Sequence, residues 1–324
     1  MQFSREIKIK LWLDKVLGTQ SYSINIASSD ASFRRYFRVI AGNYSYIVMD
    51  APPEFEDCKP FLYVAKLFEE AGVCVPKVLE FNNDEGFLLL SDLGVTTYLA
   101  VLEDATAPRL YDLATDALVT IQKASRENVL PDYDKLKLIN EMRLFPEWYL
   151  KRHLNLSEKD CQYVELENIF DQLATVADSQ VKVFVHRDFH SRNLMVVPGN
   201  VGILDFQDAV YGPVTYDLVS LFRDAYIRWD EEQILDWLIR YWEKARKVGI
   251  PVSDDFSVFY RDFEWMGMQR HLKVLGIFAR LNYRDDKNLY LQDIPLVLDY
   301  VLGVACRYRE FAPIYRLLSE FVKS

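Results

Sequence analysis

The sequence predicts an α+β fold in two lobes, a small antiparallel sheet followed by a mostly helical region. Three observations predict it. Short apolar, β-branched runs separated by turn residues fill the first part of the chain. Apolar residues with helical spacing dominate from Thr96 onward. A polar loop at 186–193 interrupts this helical region between short strand-like runs. We place the lobe boundary so that the lobes are residues 1–93 and 94–324.

Composition limits the classes of protein to which the chain can belong. Its 324 residues suit two packed lobes, and its 50% apolar and 27% charged content is that of a soluble globular protein. A net charge of −10 argues against a nucleic-acid partner, since phosphate backbones need basic surfaces. The charged opening stretch lacks a signal-peptide core, and no apolar run is long enough to span a membrane. Four widely spaced cysteines without a CxxC pair favour a cytoplasmic location over a disulfide framework or zinc site.

The first lobe is predicted to contain two helices and five strands. The segment 41–43, Ala-Gly-Asn, is a hairpin turn, and Gly72 stands where a helix C-terminus belongs. The predicted elements are a helix over 1–17, strands over 22–27, 33–40 and 44–51, a helix over 58–71, and strands over 77–81 and 86–90.

The second lobe is predicted to be helical on both sides of the polar loop. Pro213 is placed near the first turn of the helix that follows the loop strands. The predicted elements are helices over 110–124, 135–153 and 157–178, strands over 181–185, 193–197 and 201–206, and helices over 212–222 and 262–281.

The polar loop carries the residues on which the functional prediction depends. Asp188 is followed five residues later by Asn193, and Asp205 ends a later apolar strand. This is the spacing of a kinase catalytic loop, in which the Asp accepts the proton of the attacking hydroxyl and the Asn binds Mg²⁺. A single Asp or Asn in a turn is usually a cap. The joint pattern instead predicts Asp188 as the catalytic base, and Asn193 and Asp205 as Mg²⁺ ligands.

Two segments, HRDFHSRNLM from His186 and ILDFQDAVYGPVTYDL from Ile203, resemble the signature of the protein-kinase-like small-molecule phosphotransferases. That group includes aminoglycoside and choline kinases, and His190 also matches its pattern. More narrowly, the segments 29–39, 46–61, 86–94 and 273–295 resemble the bacterial anomeric amino-sugar kinases, which phosphorylate N-acetylmuramate and N-acetylglucosamine in cell-wall recycling. The resemblance implies a two-lobed kinase-like fold, ATP, Mg²⁺ and a small amino-sugar acceptor. It also implies that Asp217 braces the catalytic loop.

The resemblance places the nucleotide in the first lobe. The segment Ser91, Asp92 and Leu93 corresponds to the hinge, whose backbone would bind the adenine edge. The loop SSDAS before the second strand has no glycine, although kinases generally use glycine to bring backbone amides near the phosphates. We expect Ser32 in this loop to contact the nucleotide.

The lysine that usually grips the phosphates is absent, because Met49 stands at or near its position. The available cations are Arg34 and Arg35, which follow the SSDAS loop. Side chains alternate across a strand, so only one of the two can face the nucleotide, and the alternation does not say which. Either arginine could equally be a solvated surface charge.

The acceptor is predicted to be small. Only the segment QDAVYG separates the Asp205 strand from the next helix, which leaves no peptide-binding platform and excludes a protein substrate. The helix over 262–281 mixes aromatic and charged residues that suit a sugar, or equally a solvated helix face. The predicted substrate-binding residues are His190 and Arg192 of the loop, and Trp265, Gln269, Arg270 and Lys273 of that helix.

Two alternatives remain open at this point. The acceptor could be an aminoglycoside or another amino alcohol, with the same chemistry. The chain could also be a nucleotide-binding scaffold without catalysis, an alternative that Met49 favours and that the presence of Asp188, Asn193 and Asp205 disfavours.

Overall fold

The structure, a computed structural model, describes residues 4–29 and 33–321. The chain divides into two compact units: the first is Met1–Thr96 with Met195–Asp208, and the second is Thr97–Leu194 with Ala209–Ser324. Among the described residues, no helix combines the length and apolar character needed to cross a membrane.

The secondary structure confirms the predicted α+β class, with a small antiparallel sheet and a mostly helical remainder. In chain order the elements are α1 (Arg5–Leu17), β1 (Ser23–Ser29), β2 (Arg35–Ala41), β3 (Tyr44–Asp50), α2 (Lys59–Ala71), β4 (Val78–Asn82), β5 (Phe87–Ser91), α3 (Ala107–Lys123), α4 (Lys135–Met142), a π-helix (Phe145–His153), α5 (Tyr163–Ser179), β6 (Lys182–Val185), β7 (Leu194–Val197), β8 (Asn200–Ile203), β9 (Val210–Pro213), α6 (Tyr216–Phe222), α7 (Glu231–Lys247), α8 (Phe256–Asp285), a 3₁₀-helix (Asn288–Asp293), α9 (Ile294–Ala305), a second 3₁₀-helix (Arg309–Phe311) and α10 (Ala312–Leu318).

The first unit is built on an antiparallel sheet with strand order β1-β2-β3-β5-β4. Consecutive residues are buried at the end of β3 and along β5, next to the middle of the sheet, and Val39, Val48 and Leu89 form one core with Ile9 and Leu13 of α1. The five predicted strands and two predicted helices of this region are confirmed. Residues 1–3 of the predicted opening helix lie outside the described residues.

Residues Met195–Asp208 fall within the predicted second lobe but belong to the first unit. The Ile203 amide donates to the Cys74 carbonyl at 2.8 Å, and the Phe206 ring centroid lies 4.9 Å from that of Phe61 on α2. These tertiary contacts attach the β7–β8 hairpin to the sheet lobe. Gly72 ends α2 as predicted, with φ of 96° and its amide donating to the Glu69 carbonyl.

In the second unit, the helix predicted over 135–153 is broken, so that prediction is wrong. α4 ends at Met142, and a π-helix begins at Phe145 with Pro146 in its first turn. Proline has no amide hydrogen with which to continue the preceding helix. The break is also where α8 approaches closely, since a β-carbon at Gly276 would lie 2.4 Å from the Leu144 carbonyl carbon. The next helix, α5, begins at Tyr163, later than predicted, after a turn.

The helix α8 is longer than the predicted 262–281 and is the central helix of the second unit. Its side chains are buried around most of its circumference, and it packs against the π-helix, α5, α6 and α9. A helix enclosed in this way has no solvated face over its middle turns. The alternative that its charged residues form a solvated face is therefore wrong, because Gln269, Arg270 and Lys273 are all buried.

The strand β9 was not predicted. It pairs antiparallel with β6 in a register that joins Lys182 to Pro213 and Val185 to Val210. The Tyr211 amide donates to the Pro131 carbonyl, which fixes the other edge of β9. Pro213 therefore ends a strand, and the predicted start of the following helix at residue 212 is wrong, because α6 begins at Tyr216.

Candidate active site

The loop after β6 is held by a buried carboxylate. Asp217, at the start of α6, accepts the backbone amides of His186 at 2.6 Å and Arg187 at 2.9 Å. Arg187 adopts a left-handed backbone conformation, with φ of 79°, which is uncommon for a non-glycine residue. Burial raises the pKa of Asp217 to about 7, although the two amide donors act in the opposite direction. The expected bracing role of Asp217 is confirmed.

Asp188 and Asn193 close the loop on each other. The Asn193 side-chain amide donates to the Asp188 carbonyl at 3.0 Å, and the Asp188 amide donates to His186 Nδ1 at 3.2 Å. About half of the Asp188 side chain, 46%, is exposed. The loop thus fixes the backbone of Asp188 and leaves its carboxylate accessible.

A group of cations surrounds the Asp188 carboxylate. Arg270 Nη2 lies 4.0 Å from Asp188 Oδ1. Desolvation alone would raise the pKa of Asp188, but the charges of Lys273, His190, Arg270 and Arg187 outweigh it and hold the pKa below the usual value. Asp188 is therefore ionised at neutral pH.

Glu141 on α4 holds two of these cations in place, although no sequence motif marks this residue. Lys273 Nζ lies 3.1 Å from Glu141 Oε2, and Arg187 and Tyr133 also hydrogen-bond to this carboxylate. Lys273 donates in addition to the Tyr216 hydroxyl at 3.0 Å. Burial opposes ionisation of Glu141, but its cationic partners prevail and lower its pKa. Glu141 thereby orients the positive charges that face Asp188.

Not all the predicted substrate-binding residues are brought to Asp188. Arg270 and Lys273 are, and His190 and Arg192 belong to the same loop. Trp265 instead packs against Phe311 and Tyr308, at ring-centroid distances of 4.8 and 5.9 Å. Gln269 is fully buried, and its side chain donates to the Leu138 carbonyl at 3.4 Å. Trp265 and Gln269 therefore serve the packing of α8. Neighbouring residues of a helix point in different directions, so the side chains of α8 do not all reach Asp188.

His190 and Arg192 are part of an aromatic and charged cluster beside the loop. The Arg192 guanidinium lies 3.5 Å from the centre of the Tyr226 ring, and the His190 ring is 5.3 Å from the same ring. Asp224 accepts the backbone amides of Ser191 at 2.9 Å and Tyr226 at 3.0 Å. Burial lowers the pKa of His190, whereas the charges of Asp224 and Asp188 raise it, with a net downward shift.

In the first unit, the predicted hinge begins at Ser91, the last residue of β5. The Ser91 amide donates to the Lys77 carbonyl, which leaves Ser91 part of the sheet ladder. The Asp92 carboxylate accepts hydrogen bonds from Arg38 at 2.6 Å and from the Gly94 amide at 2.9 Å. Leu93 packs against Gly202, where an added β-carbon would lie 2.9 Å from the leucine side chain. Ser32 lies outside the described residues.

The structure gives Arg34 and Arg35 different partners. Arg34 Nη2 lies 3.0 Å from Glu56 Oε2. Burial lowers the pKa of Arg34, whereas the charges of Tyr36, Glu56 and Asp205 raise it, with a net upward shift. Arg34 therefore interacts electrostatically with the predicted Mg²⁺ ligand of the same unit.

Arg35 points to the other side of β2. It lies 2.6 Å from the buried Asp50 carboxylate, which also pairs with Arg5 of α1, and 2.8 Å from Glu6. Met49 is fully buried in the sheet, opposite Tyr36 and Leu88. Arg35 is thus a structural link between α1 and the sheet.

The residues predicted to bind Mg²⁺ offer the oxygen atoms that this ion accepts. Because the Asn193 amide nitrogen donates to the Asp188 carbonyl, the amide oxygen lies on the opposite side of the side chain. Asp205 has a left-handed φ of 62°, and one of its carboxylate oxygens accepts from Gln207 at 2.8 Å. A strained non-glycine backbone of this kind is concentrated at functional sites. Each of these two side chains, taken by itself, therefore has the chemistry of a Mg²⁺ ligand.

Comparison with known families supports this interpretation of the loop. Residues 23–248 match the model of the phosphotransferase enzyme family. The chain belongs to that family. The kinase-like fold implied by the loop motif is thereby confirmed.

This phosphotransferase is similar along nearly its whole length to two curated relatives. It is 50% identical over 323 residues to the N-acetylmuramate/N-acetylglucosamine kinase of Neisseria meningitidis serogroup B, covering 98% of this chain and 96% of that one. It is 49% identical over 294 residues to the protein of the same name from Pseudomonas aeruginosa, covering 91% of this chain and 87% of that one.

A solved structure shares the fold at low sequence identity. The crystal structure of the ADP-bound aminoglycoside phosphotransferase APH(2'')-Ib superposes on this phosphotransferase with a TM-score of 0.60 at 16% identity, covering 90% of this chain and 97% of that one. Such a likeness shows a common fold and leaves the acceptor to be argued from the site.

Proposed function

We propose that this phosphotransferase transfers the γ-phosphoryl group of ATP to the anomeric hydroxyl of N-acetylmuramate or N-acetylglucosamine. We place the reaction in the cytoplasm, as part of cell-wall recycling. One observation carries the proposal: an ionised, accessible Asp188 is fixed by Asn193 and Asp217 and faced by Arg270 and Lys273. The two curated relatives supply the acceptor class.

Asp188 acts on the acceptor hydroxyl. Its carboxylate accepts a hydrogen bond from the anomeric O–H and takes the proton as the oxygen–phosphorus bond forms and ADP leaves. The pKa of Asp188 is below its usual value, so the residue is a weak base. Orientation of the hydroxyl is therefore its larger contribution, with the proton transferred late.

The remaining roles are assigned from the same motif. Asn193 and Asp205 would hold Mg²⁺, which neutralises charge on the phosphates when bound. The backbone of Ser91, Asp92 and Leu93 would bind the adenine edge. Arg270 and Lys273, buried beside Asp188, are placed to stabilise negative charge near the acceptor oxygen.

Arg34, rather than Arg35, is expected to replace the missing lysine. Replacing Arg34 with methionine should raise the KM for ATP by about 10-fold or more, the scale of a lost hydrogen bond to a charged group. Its pairing with Glu56 and its interaction with Asp205 support this choice. Steady-state kinetics with varied ATP would measure it.

The matched control is Arg35→Met. Because Arg35 binds Asp50 and Glu6, this change should lower the melting temperature and leave the KM for ATP nearly unchanged. Equal effects of both substitutions on the KM would remove the assignment of Arg34.

A direct assay of acceptors tests the function. We expect ATP consumption that depends on N-acetylmuramate or N-acetylglucosamine and on Mg²⁺, with a product that has lost its reducing end. The cations around Asp188 disfavour a polycationic aminoglycoside, so kanamycin should not be phosphorylated. Transfer to kanamycin and to neither sugar would establish the aminoglycoside alternative. If no ADP is formed with any of the acceptors tested, the result would favour the scaffold alternative.

A further inference from the structure

Arg192 is the arginine of the loop cluster, and among the described residues its one ion pair is a long one. Its guanidinium rests on the Tyr226 ring at 3.5 Å, with the Tyr290 ring centre at 6.0 Å. Its side chain is 37% exposed, and no described residue accepts a hydrogen bond from it. The nearest carboxylate oxygen is Asp293 Oδ2, at 3.6 Å. Stacking therefore fixes the guanidinium plane and leaves its N–H groups available to a ligand.

Asp293 is the complementary group. Its Oδ2 atom is buried and accepts no hydrogen bond from the described residues. Burial raises the pKa of Asp293, and the nearby Arg192 acts in the opposite direction. A buried carboxylate oxygen without a donor is destabilising unless a ligand or a movement of a neighbour supplies one. The pair Arg192–Asp293 is thus one short movement away from a direct hydrogen bond.

This pair lies beside the reacting group. Arg192 is in the same loop as Asp188, and the ring of His190, between them in sequence, interacts electrostatically with both. His190 Nδ1 is also buried without a hydrogen bond among the described residues. An acceptor whose anomeric hydroxyl lies at Asp188 would therefore place nearby substituents, such as the lactyl ether on C3 of N-acetylmuramate, within reach of this cluster.

We propose that Arg192 binds the carboxylate of N-acetylmuramate and turns to Asp293 when the neutral N-acetylglucosamine binds. The proposal rests on the function proposed above. An arginine forms short, paired hydrogen bonds with a carboxylate. A site that left this arginine unpaired would reject the neutral sugar strongly, since unpaired polar groups discriminate against the ligand that lacks their partner. With Asp293 at 3.6 Å as the alternative partner, one site can accept both sugars.

The other cations near Asp188 fit this role less well. Arg187 and Lys273 are both paired with Glu141. Arg270 is 4.0 Å from Asp188, and its side chain is buried, so a substrate carboxylate has less access to it than to the partly exposed Arg192. Arg192 is the more exposed of the two arginines of the loop, and its ion pair among the described residues is with Asp293 rather than with Glu141.

Two substitutions should change acceptor preference in opposite directions. Arg192→Gln should lower the ratio of kcat/KM for N-acetylmuramate to kcat/KM for N-acetylglucosamine by roughly 10-fold or more, as a lost charge-assisted hydrogen bond would. Asp293→Asn should raise the same ratio, because Arg192 then lacks its full partner when the neutral sugar binds. Arg192→Lys keeps the positive charge but loses the planar pair of N–H donors. This variant should lower the ratio less than Arg192→Gln does.

Arg228→Gln is the matched control. Arg228 forms an exposed pair with Asp299 at 2.5 Å in the same unit, outside the loop cluster. Its loss should leave the ratio unchanged. The melting temperature of each variant shows whether its change in activity results from a loss of stability.

The outcomes separate the two proposals. If the wild-type protein phosphorylates both sugars and Arg192→Gln lowers both specificity constants alike, the role of Arg192 is wrong and the proposed function stands. If the wild-type protein phosphorylates neither sugar, both are overturned.

Discussion

Replacing Asp188 with alanine is expected to lower kcat by about 10²-fold or more, the scale of a lost general base. The fold should be retained, because the loop is held by the backbone of Asp188 and by Asp217 rather than by the Asp188 carboxylate. The KM for ATP should change little. Initial rates of ADP formation at saturating sugar and ATP would measure the loss.

Two further substitutions make this result specific. Asn193→Ala should instead raise the Mg²⁺ concentration needed for half-maximal activity, since the amide oxygen is assigned to the metal. Asp208→Ala removes an exposed carboxylate a few residues after Asp205 and should not alter kcat. Activity of Asp188→Ala within a few-fold of wild type would exclude Asp188 as the base.

Replacing Asp217 with alanine is expected to have the largest effect on stability. The change removes the acceptor of two backbone amides, those of His186 and Arg187. A buried donor left without a partner costs about 1–3 kcal/mol, so the free energy of unfolding should fall by roughly 2–6 kcal/mol. Urea unfolding would measure it, and kcat should also fall because the loop that carries Asp188 is released.

Asp217→Asn separates the charge from the hydrogen bonds. The pKa of Asp217 is raised to about 7 in the folded protein, so folding favours the protonated carboxyl. The stability that this group contributes is fully present below about pH 4, the ordinary pKa of Asp, and is lost as the pH rises through 7. The asparagine variant should lack this decline. An unchanged decline between pH 4 and 7 in the variant would show that another group causes it.

The parts of the fold that were predicted correctly depend on local patterns. The alternation of side chains along β2 and β3 is a signal carried by residues close together in sequence, and so is the glycine after α2. The loop motif was also local, since Asp188 and Asn193 are in one short segment. The break between α4 and the π-helix was missed because its second cause, the approach of Gly276 to Leu144, joins residues far apart in sequence.

The parts of the site that were missed are tertiary. Glu141 orients Arg187 and Lys273 from a helix with no motif of its own. The choice between Arg34 and Arg35 could not be made from strand alternation, because it depends on where Glu56 and Asp50 lie. Trp265 was expected at the acceptor for its chemistry, yet its ring belongs to a core formed with the C-terminal helices.

The strand β9 has a consequence for control of the enzyme. In protein kinases the chain between the metal-binding Asp and the next helix is a long segment that phosphorylation can order. Here that stretch is shortened to β9, whose residues pair with β6 from Val210 to Pro213. Because β9 is already ordered by its pairing with β6, phosphorylation is not needed to order this stretch. The proposed kinase should therefore need no phosphorylation of this stretch for activity, and its rate should follow the supply of its acceptor.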